Sequence, residues 1–203
     1  MQPRVYQEFE RICAQRGVRG AILEVGAIPS DQSLLCMQAL AGATEKIGIN
    51  LDGPYEYRGF RILKGDANGM DCFEDNRFDA VLCNAVLEHD KHFWKAIGEM
   101  KRVTRPGGLI VIGAPGYGRL LPERAGRPRR AARRHPLVRK AFSHGLLFCL
   151  SRGTLTVHVH NAPGDYYRFS AQTFREVFFE GMHSVQVRSL MMPPLLIGSG
   201  LKP

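Results

Sequence analysis

The sequence lacks an apolar run long enough to cross a bilayer. Its longest apolar stretches, at residues 109–115 and 145–150, are far shorter than the roughly 20 residues that a transmembrane helix needs. The first 16 residues carry charges of both signs and lack the apolar core of a secretory signal peptide. These absences predict a cytoplasmic protein, and they leave peripheral contact with a membrane surface open.

Cysteines are few, and none stand in C-x-x-C spacing. The five of them are an odd number and are spread widely, so neither a disulfide framework nor a zinc site is indicated. We expect reduced cysteines packed in the core. His158 and His160 form an H-x-H pair, but a third ligand would have to come from Asp165 or His183, which match only loosely, so no metal site is predicted.

Positive charge is concentrated in one segment. The formal net charge is +9, and residues 119–140 hold nine basic residues against the single acid Glu123, so the rest of the chain is almost neutral. The segment is interpreted in three ways. It is a solvated loop, a phosphate-binding surface for nucleic acid that lacks aromatic stacking partners, or, with the apolar residues that follow it to position 150, an interfacial segment on an anionic membrane.

Short apolar runs alternate with helical patterns along the chain. Strands are predicted at residues 21–25, 46–51, 60–64, 78–84, 109–113 and 185–190, with one more in the tail from residue 193. Helices are predicted after residue 31, from Asp90 as the cap to the Pro106 and Gly107 stop, and from Ser170 to Gly181.

This alternation is typical of βαβ units. The predicted fold is therefore α/β, a Rossmann-like, doubly wound, mostly parallel sheet with helices on both faces and a basic insertion after the fifth strand. We expect one domain over residues 1–203, with a helical segment at 1–20 and an insertion or lid at 116–160. In such sheets ligands bind outside the carboxyl ends of the strands, so the residues at the strand ends are the candidates for a site.

Five stretches in chain order carry a resemblance to the class I S-adenosylmethionine-dependent methyltransferases of the type-11 group, over roughly residues 20–115. They are ILEVGA, IGINLDG, GDA, FDAVLCNAVLEH and RVTRPGGLIVIGAP. The resemblance implies S-adenosylmethionine as the cofactor. The cofactor-binding residues that it implies are Glu24, Gly26, Ala27, Asn50, Leu51, Asp66, Ala67, Asn84 and Ala85.

The resemblance also implies a role for each of these positions. The backbone at Gly26 and Ala27 lets the methionine part approach, and Glu24 organises the loop beneath it. The second strand end, at position 50, holds the ribose. Asp66 and Ala67 contact the adenine. Asn84 and Ala85 face the sulfonium.

Two departures from the family pattern bear on the cofactor. Ile28 and Ser30, with Pro29 between them, stand where further glycines are usual. This departure argues more strongly against a dinucleotide than against S-adenosylmethionine, because the pyrophosphate of a dinucleotide needs glycine-lined N–H groups. Asn50 stands where an acid is common. Because a neutral hydrogen bond is weaker than a charged one, we expect affinity lower by about tenfold, and Asn50→Asp to restore it.

The acceptor side is less well marked. His89 is a candidate general base, since histidine titrates in the useful range, although a surface or capping histidine explains it equally well. A D-Y-Y-R-F segment resembles one that in relatives closes over the acceptor pocket; the alternative is an ordinary loop packed by its aromatic residues. The substrate candidates in and beside it are His160, Asp165, Tyr167 and Arg168.

The expected function is methyl transfer from S-adenosylmethionine to a small-molecule, glycan-linked or lipid-linked acceptor, at oxygen, in which the protein mainly positions the two reactants. One alternative is a non-catalytic binding or scaffold protein, motivated by Ile28, Pro29 and Asn50. Another is a nucleic-acid methyltransferase that uses the arginine-rich segment. It is disfavoured because the fourth strand ends in NAVL, without a Pro-Pro-Tyr type signature.

Overall fold

The computed structural model describes residues 1–119, 136, 153–156, 164–191 and 194–203. The predictions for the arginine-rich segment beyond Arg119, and those for His158 and His160, lie outside these residues. None of the helices within them is long and apolar enough to cross a membrane.

The described strands form an eight-stranded sheet and a separate two-stranded ribbon. Their bounds are β1 (Gly20–Val25), β2 (Ala43–Asn50), β3 (Tyr55–Tyr57), β4 (Phe60–Lys64), β5 (Phe78–Asn84), β6 (Thr104–Pro115), β7 (Tyr117–Arg119), β8 (Thr154–Thr156), β9 (His183–Leu190) and β10 (Leu195–Leu201). The sheet order is β3-β4-β2-β1-β5-β6-β10-β9, and β7 pairs with β8. Strands β4, β2, β1, β5 and β6 run parallel, whereas β3 and β10 are antiparallel to their neighbours. Strand order therefore reverses between β1 and β5, where such sheets bind ligands.

Helices cover both faces of this sheet. On one face lies α1 (Pro3–Arg16), whose Val5, Phe9 and Ile12 are buried with apolar residues of β1, β5 and β6. On the other face lie α2 (Phe93–Val103) and α3, a turn at Ala171–Thr173 that continues as a π-helix over Phe174–Phe178. The prediction of a mostly parallel, Rossmann-like sheet with helices on both faces is confirmed.

The apolar runs predict the central strands well because those strands are covered on both sides. The strand predicted at residues 78–84 is β5, where the side chains of Ala80 to Cys83 are all buried. Cys13 and Cys83 lie in the core as expected, but Cys72 is exposed, so the expectation of core cysteines is wrong for that residue.

The helix predicted after β1 is wrong. In its place stand two short 3₁₀ turns, Leu34–Cys36 and Gln38–Leu40, separated by the extended backbone of Met37. The apolar residues that suggested a helix are buried. However, the buried carboxylate of Glu24 in β1 accepts hydrogen bonds from the N–H groups of Leu34 and Leu35. A tertiary contact thus replaces the helical hydrogen bonds that the pattern predicted.

The start of α2 also differs from the prediction. Its N-cap is His92, which makes no side-chain capping bond. Asp90 accepts the N–H of His92 at 2.8 Å, so this side chain shapes the turn that precedes the helix and does not cap it.

Candidate active site

A cavity of about 490 Å³ lies at the carboxyl ends of β1, β2, β4 and β5, beside the point where strand order reverses. Its size is in the range of sites for small ligands. The residues that line it are Val25, Gly26, Ile49, Asn50, Leu51, Gly65, Asp66, Ala67, Asn68, Ala85, Val86, His89, Asp90, Lys91, His92 and Tyr166. Seven predicted site residues therefore share one cavity, whereas Glu24, Ala27 and Asn84 do not line it.

The loop after β1 leaves space that a side chain would fill. Gly26 has φ +80°, and its N–H donates to the carbonyl oxygen of Ile49 at 2.8 Å, which ties the loop to β2. A Cβ at Gly26 would approach Cγ2 of Val86 more closely than real carbon atoms do. The bare backbone at this position is thus required by both its conformation and its neighbour.

Glu24 lies behind this loop and not in the cavity. Its carboxylate accepts hydrogen bonds from Ser33 Oγ, from Leu34 N at 3.1 Å and from Leu35 N at 3.4 Å. Burial raises the pKa of Glu24, and these donors oppose that rise. The side chain therefore joins the end of β1 to the 3₁₀ turn that follows.

Asn50 lines the cavity, but its side-chain amide both donates and accepts a hydrogen bond within the protein. Its Nδ2 donates to the carbonyl oxygen of Ala27 at 2.7 Å, and its Oδ1 accepts the N–H of Asp52 at 3.2 Å. The side chain thereby holds the loops after β1 and β2 together. Leu51 beside it is 68% exposed, so an apolar side chain stands at the cavity mouth.

Asn68 joins the loop after β4 to the turn after β5. Its Nδ2 donates to Asp66 Oδ1 at 3.1 Å and to Asp90 Oδ2 at 2.9 Å. Two carboxylates on the nitrogen side fix the orientation of the amide. Its Oδ1 is buried and has no hydrogen-bond partner among the described residues, and Asn68 lines the cavity. A ligand N–H in this cavity would satisfy that oxygen.

The end of β5 turns sharply towards the cavity. Ala85 has φ +54°, which is rare for a residue with a side chain, and its N–H donates to Gly113 O at 3.0 Å. Asn84, predicted to face the sulfonium, instead packs its amide oxygen against Gly113 of β6, close to Phe9 of α1. The structure thus places Ala85 in the lining and Asn84 outside it.

The cavity lining also includes titratable and aromatic groups. His89, 25% exposed, stands here with Lys91, His92 and Tyr166. The ammonium group of Lys91 lies 5.4 Å from the centre of the Tyr166 ring. Sequence reasoning passed over Tyr166 and chose its neighbour Tyr167.

The predicted substrate residues after position 160 support this wall from behind. The hydroxyl of Tyr167 donates to Lys91 O at 3.0 Å, and its ring packs against Phe93 with centroids 5.1 Å apart. Asp165 and Arg168 form a bidentate ion pair, whose side chains are 2% and 13% exposed. The structure thus places these three side chains outside the cavity lining, and Tyr166 faces the space that was predicted for them.

Main-chain hydrogen bonds fasten this segment to the turn after β5. The N–H groups of Tyr166 and Tyr167 both donate to Glu88 O, at 2.7 and 3.2 Å, and Phe169 N donates to Pro115 O at 3.0 Å. Glu88 is 1% exposed, and burial raises its pKa to about 7. Sequence reasoning missed Glu88; its place directly before His89 was the available signal.

Comparison with known proteins agrees with this architecture. A model of the methyltransferase domain family matches residues 35–112. An uncharacterized methyltransferase of Mycobacterium sp. (strain JLS) is 35% identical over 74 residues, which are 34% of this chain and 29% of that protein. The alignment therefore spans less than a third of that relative.

Two solved structures share the fold. The 1,6-didemethyltoxoflavin N1-methyltransferase of Burkholderia thailandensis has a TM-score of 0.61 at 14% identity, covering 97% of this chain and 77% of its own. Phosphoethanolamine N-methyltransferase 2 of Haemonchus contortus, in complex with S-adenosyl-L-methionine, has a TM-score of 0.59 at 13% identity, covering 97% and 52%. The chain therefore has the class I methyltransferase fold and matches the methyltransferase domain family over residues 35–112, and the resemblance predicted from the sequence is confirmed.

Proposed function

We propose that this chain binds S-adenosylmethionine in the cavity and transfers its methyl group to an oxygen atom of a small-molecule, glycan-linked or lipid-linked acceptor. The observation that carries the proposal is the cavity at the strand-order reversal, which is lined by the bare backbone of Gly26 and by the side chains of His89 and Tyr166. Gly26 suits a ligand that needs close backbone approach, and His89 offers a proton acceptor.

The residues present fit the cofactor. All five proposed contacts line the cavity: Gly26 for the amino-acid part, Asn50 and Leu51 for the ribose, and Asp66 and Ala67 for the adenine. The buried Oδ1 of Asn68 would accept an N–H from the bound group. When bound, S-adenosylmethionine supplies an electrophilic methyl group on a positively charged sulfur.

The protein's own contribution is positioning and proton removal. An in-line transfer needs the acceptor atom to be held near the methyl group, and such positioning lowers the barrier without a strong base. A hydroxyl acceptor also has to lose its proton, for which His89 stands in the cavity wall. Transfer to oxygen is proposed for that reason.

Calorimetry of the folded full chain with S-adenosylhomocysteine tests cofactor binding directly. We expect affinity in the micromolar range and its loss in Gly26→Val. Incubation with methyl-labelled S-adenosylmethionine and a panel of free sugars, lipid-linked sugars and simple alcohols then tests transfer. Binding without transfer to any member of the panel would contradict the proposed acceptor class.

A non-catalytic binding protein is the second candidate, and one observation favours it. The amide of Asn50 donates to Ala27 O and accepts from Asp52 N, so it does not offer the ribose the strong acceptor that an acid would supply. Absence of S-adenosylhomocysteine binding at millimolar concentration in a folded sample would favour this candidate over the enzyme.

Peripheral contact with anionic lipid through residues 119–150 is a separate proposal, and it rests on the sequence alone. Nine basic residues followed by apolar ones suit the surface of a membrane, where anionic headgroups lie above an apolar interior. We expect sedimentation with anionic liposomes that persists in part at physiological salt. Binding to RNA that disappears between low and physiological salt, without liposome binding, would favour nucleic acid instead.

A further inference from the structure

Glu88 is a buried acid directly beside the cavity-lining His89, and the proposed function leaves it unused. It belongs to the 3₁₀ turn Leu87–His89 that follows β5 and is 1% exposed. Its Oε1 lies 4.0 Å from Nε2 of His89. Its Oε2 is buried without a hydrogen-bond partner in the part of the chain that the structure describes. A carboxylate in such a place gains stability chiefly from nearby positive charge.

Charged and titratable groups face Glu88 from two neighbouring segments. Arg168 and Asp165 face it from the segment that carries Tyr166, and the buried thiol of Cys83 faces it from β5. Arg168 is bound by Asp165, with Nη2 and Oδ2 2.8 Å apart, so much of its positive charge is already compensated. The cation that His89 forms on protonation is therefore an additional source of stabilisation for a Glu88 carboxylate, 4.0 Å away.

Water is largely excluded from the carboxyl of Glu88. The main chain of the turn is covered by Tyr166 and Tyr167, whose N–H groups both donate to Glu88 O. His89 in contrast keeps a quarter of its side chain exposed and lines the cavity. The two adjacent residues thus place a buried acid behind a ring that meets the cavity.

We propose that Glu88 is a positioning residue whose buried carboxylate holds the His89 ring at the cavity wall and stabilises its protonated form. The use of this pair in catalysis rests on the proposed function, whereas the pairing itself does not. During transfer to a hydroxyl, the C–O bond forms as the C–S bond breaks, and sulfur keeps the electron pair of that bond. The hydroxyl proton passes to His89, and the negative charge of Glu88 stabilises the resulting imidazolium.

A buried carboxyl and an imidazole 4.0 Å apart influence each other's protonation. Burial raises the pKa of Glu88 to about 7, close to the roughly 6.5 of an ordinary imidazole. An ionised Glu88 favours protonation of His89, and a protonated His89 favours ionisation of Glu88. Removing the carboxylate should therefore lower the pH at which His89 loses its proton.

Proton–carbon NMR of the histidine rings in the full chain, without cofactor or acceptor, measures this directly. We expect the titration midpoint of His89, assigned by comparison with His89→Asn, to fall by about one pH unit or more in Glu88→Gln. Glu8→Gln is the matched control, because Glu8 is also buried but lies on α1 across the sheet, and it should leave the midpoint unchanged. In the native chain, the side-chain carboxyl carbon of Glu88 should titrate in the same pH range as His89.

An unchanged His89 midpoint in Glu88→Gln, or carboxyl and ring titrations that are independent in the native chain, would overturn the pairing. The assay of methyl transfer separates this result from the proposed function. Glu88→Gln should lower kcat and shift its pH profile while leaving the affinity for S-adenosylhomocysteine intact. If the His89 titration midpoint shifts but the chain transfers no methyl group, the pairing of Glu88 with His89 is supported and its role in catalysis is contradicted.

Discussion

The side-chain amide of Asn50 donates to the carbonyl oxygen of Ala27 at 2.7 Å and so joins the end of β2 to the loop that follows β1. The same amide accepts the N–H of Asp52, so its donor and its acceptor are both engaged. An amide can make both bonds, but an ionised carboxylate accepts only. The neutral residue at this position is therefore matched to the loop conformation of this chain.

Asn50→Asp should weaken cofactor binding, the reverse of what the sequence alone suggests. The carboxylate would lose the bond to Ala27 O and bring two oxygens together, at a cost of about 1–3 kcal/mol. If the loop must keep its conformation to bind, affinity for S-adenosylhomocysteine falls by about tenfold. Calorimetry measures this change. Asp52→Asn, which leaves the bond to Ala27 intact, is the control, and tighter binding by Asn50→Asp would restore the simpler ribose interpretation.

Gly26→Ala should abolish binding of S-adenosylhomocysteine in calorimetry. The new Cβ requires an unfavourable positive φ and also meets Val86, so the loop must move. Gly17→Ala is the matched control because Gly17 has φ +59° with nothing within 4 Å of an added Cβ. It should cost about 1 kcal/mol of stability and leave binding unchanged.

The double variant with Val86→Ala separates the two effects at Gly26. Removing the Val86 methyl groups relieves the clash but not the backbone strain. We expect partial recovery of affinity relative to Gly26→Ala. Full binding by the single variant would show that this loop does not approach the ligand.

Glu88→Gln should raise stability at neutral and alkaline pH. Because burial raises the pKa of Glu88 from its usual value near 4.5 to about 7, the folded protein binds the proton more tightly than the unfolded chain. Stability is therefore lost as pH rises between these values, by up to about 3 kcal/mol. Urea unfolding should show the variant more stable than the native chain at about pH 8, with a small difference at about pH 5.

Glu99→Gln provides the opposite control. Hydrogen bonding to Arg102 lowers the pKa of Glu99, so its stabilising contribution is present at neutral pH and is lost as pH falls below the usual carboxyl range. This variant should be less stable than the native chain at neutral pH. If both variants responded to pH in the same direction, the assignment of the Glu88 effect to burial would be wrong.

The sequence predicts best what depends on local pattern. The strand at β5 is correctly bounded because nearly every residue in it is apolar and buried, and Ser170 caps α3 through the N–H of Thr173 as its type suggests. The segment after β1 is mispredicted because Glu24, ten residues earlier than Leu34, supplies acceptors that no helical periodicity reveals.

In the candidate site too, the residues that follow from local pattern were predicted and those that depend on tertiary contacts were not. Gly26 and Asp66 follow strands and could be assigned from strand ends, and the structure puts both in the cavity. The main chain of Glu88 is bonded to residues 166 and 167, almost eighty positions later, and burial in the folded chain raises the pKa of its carboxyl, so this property is not visible in the sequence. Tyr166 and Tyr167 are alike in sequence; only docking of their segment decides which ring meets the cavity.

Asn68→Asp should disrupt the link between the loop after β4 and the turn after β5. The Asn68 amide nitrogen lies between Asp66 and Asp90, so a carboxylate there would place three acids together in place of two bonded to one donor. We expect a fall in stability of about 1–3 kcal/mol at neutral pH and at least tenfold weaker binding of S-adenosylhomocysteine. Asn68→Ser, which keeps a small donor without the charge, should lose less of both. Equal losses in the two variants, measured by urea unfolding and calorimetry, would show that repulsion is not the cause and that the size of the side chain decides.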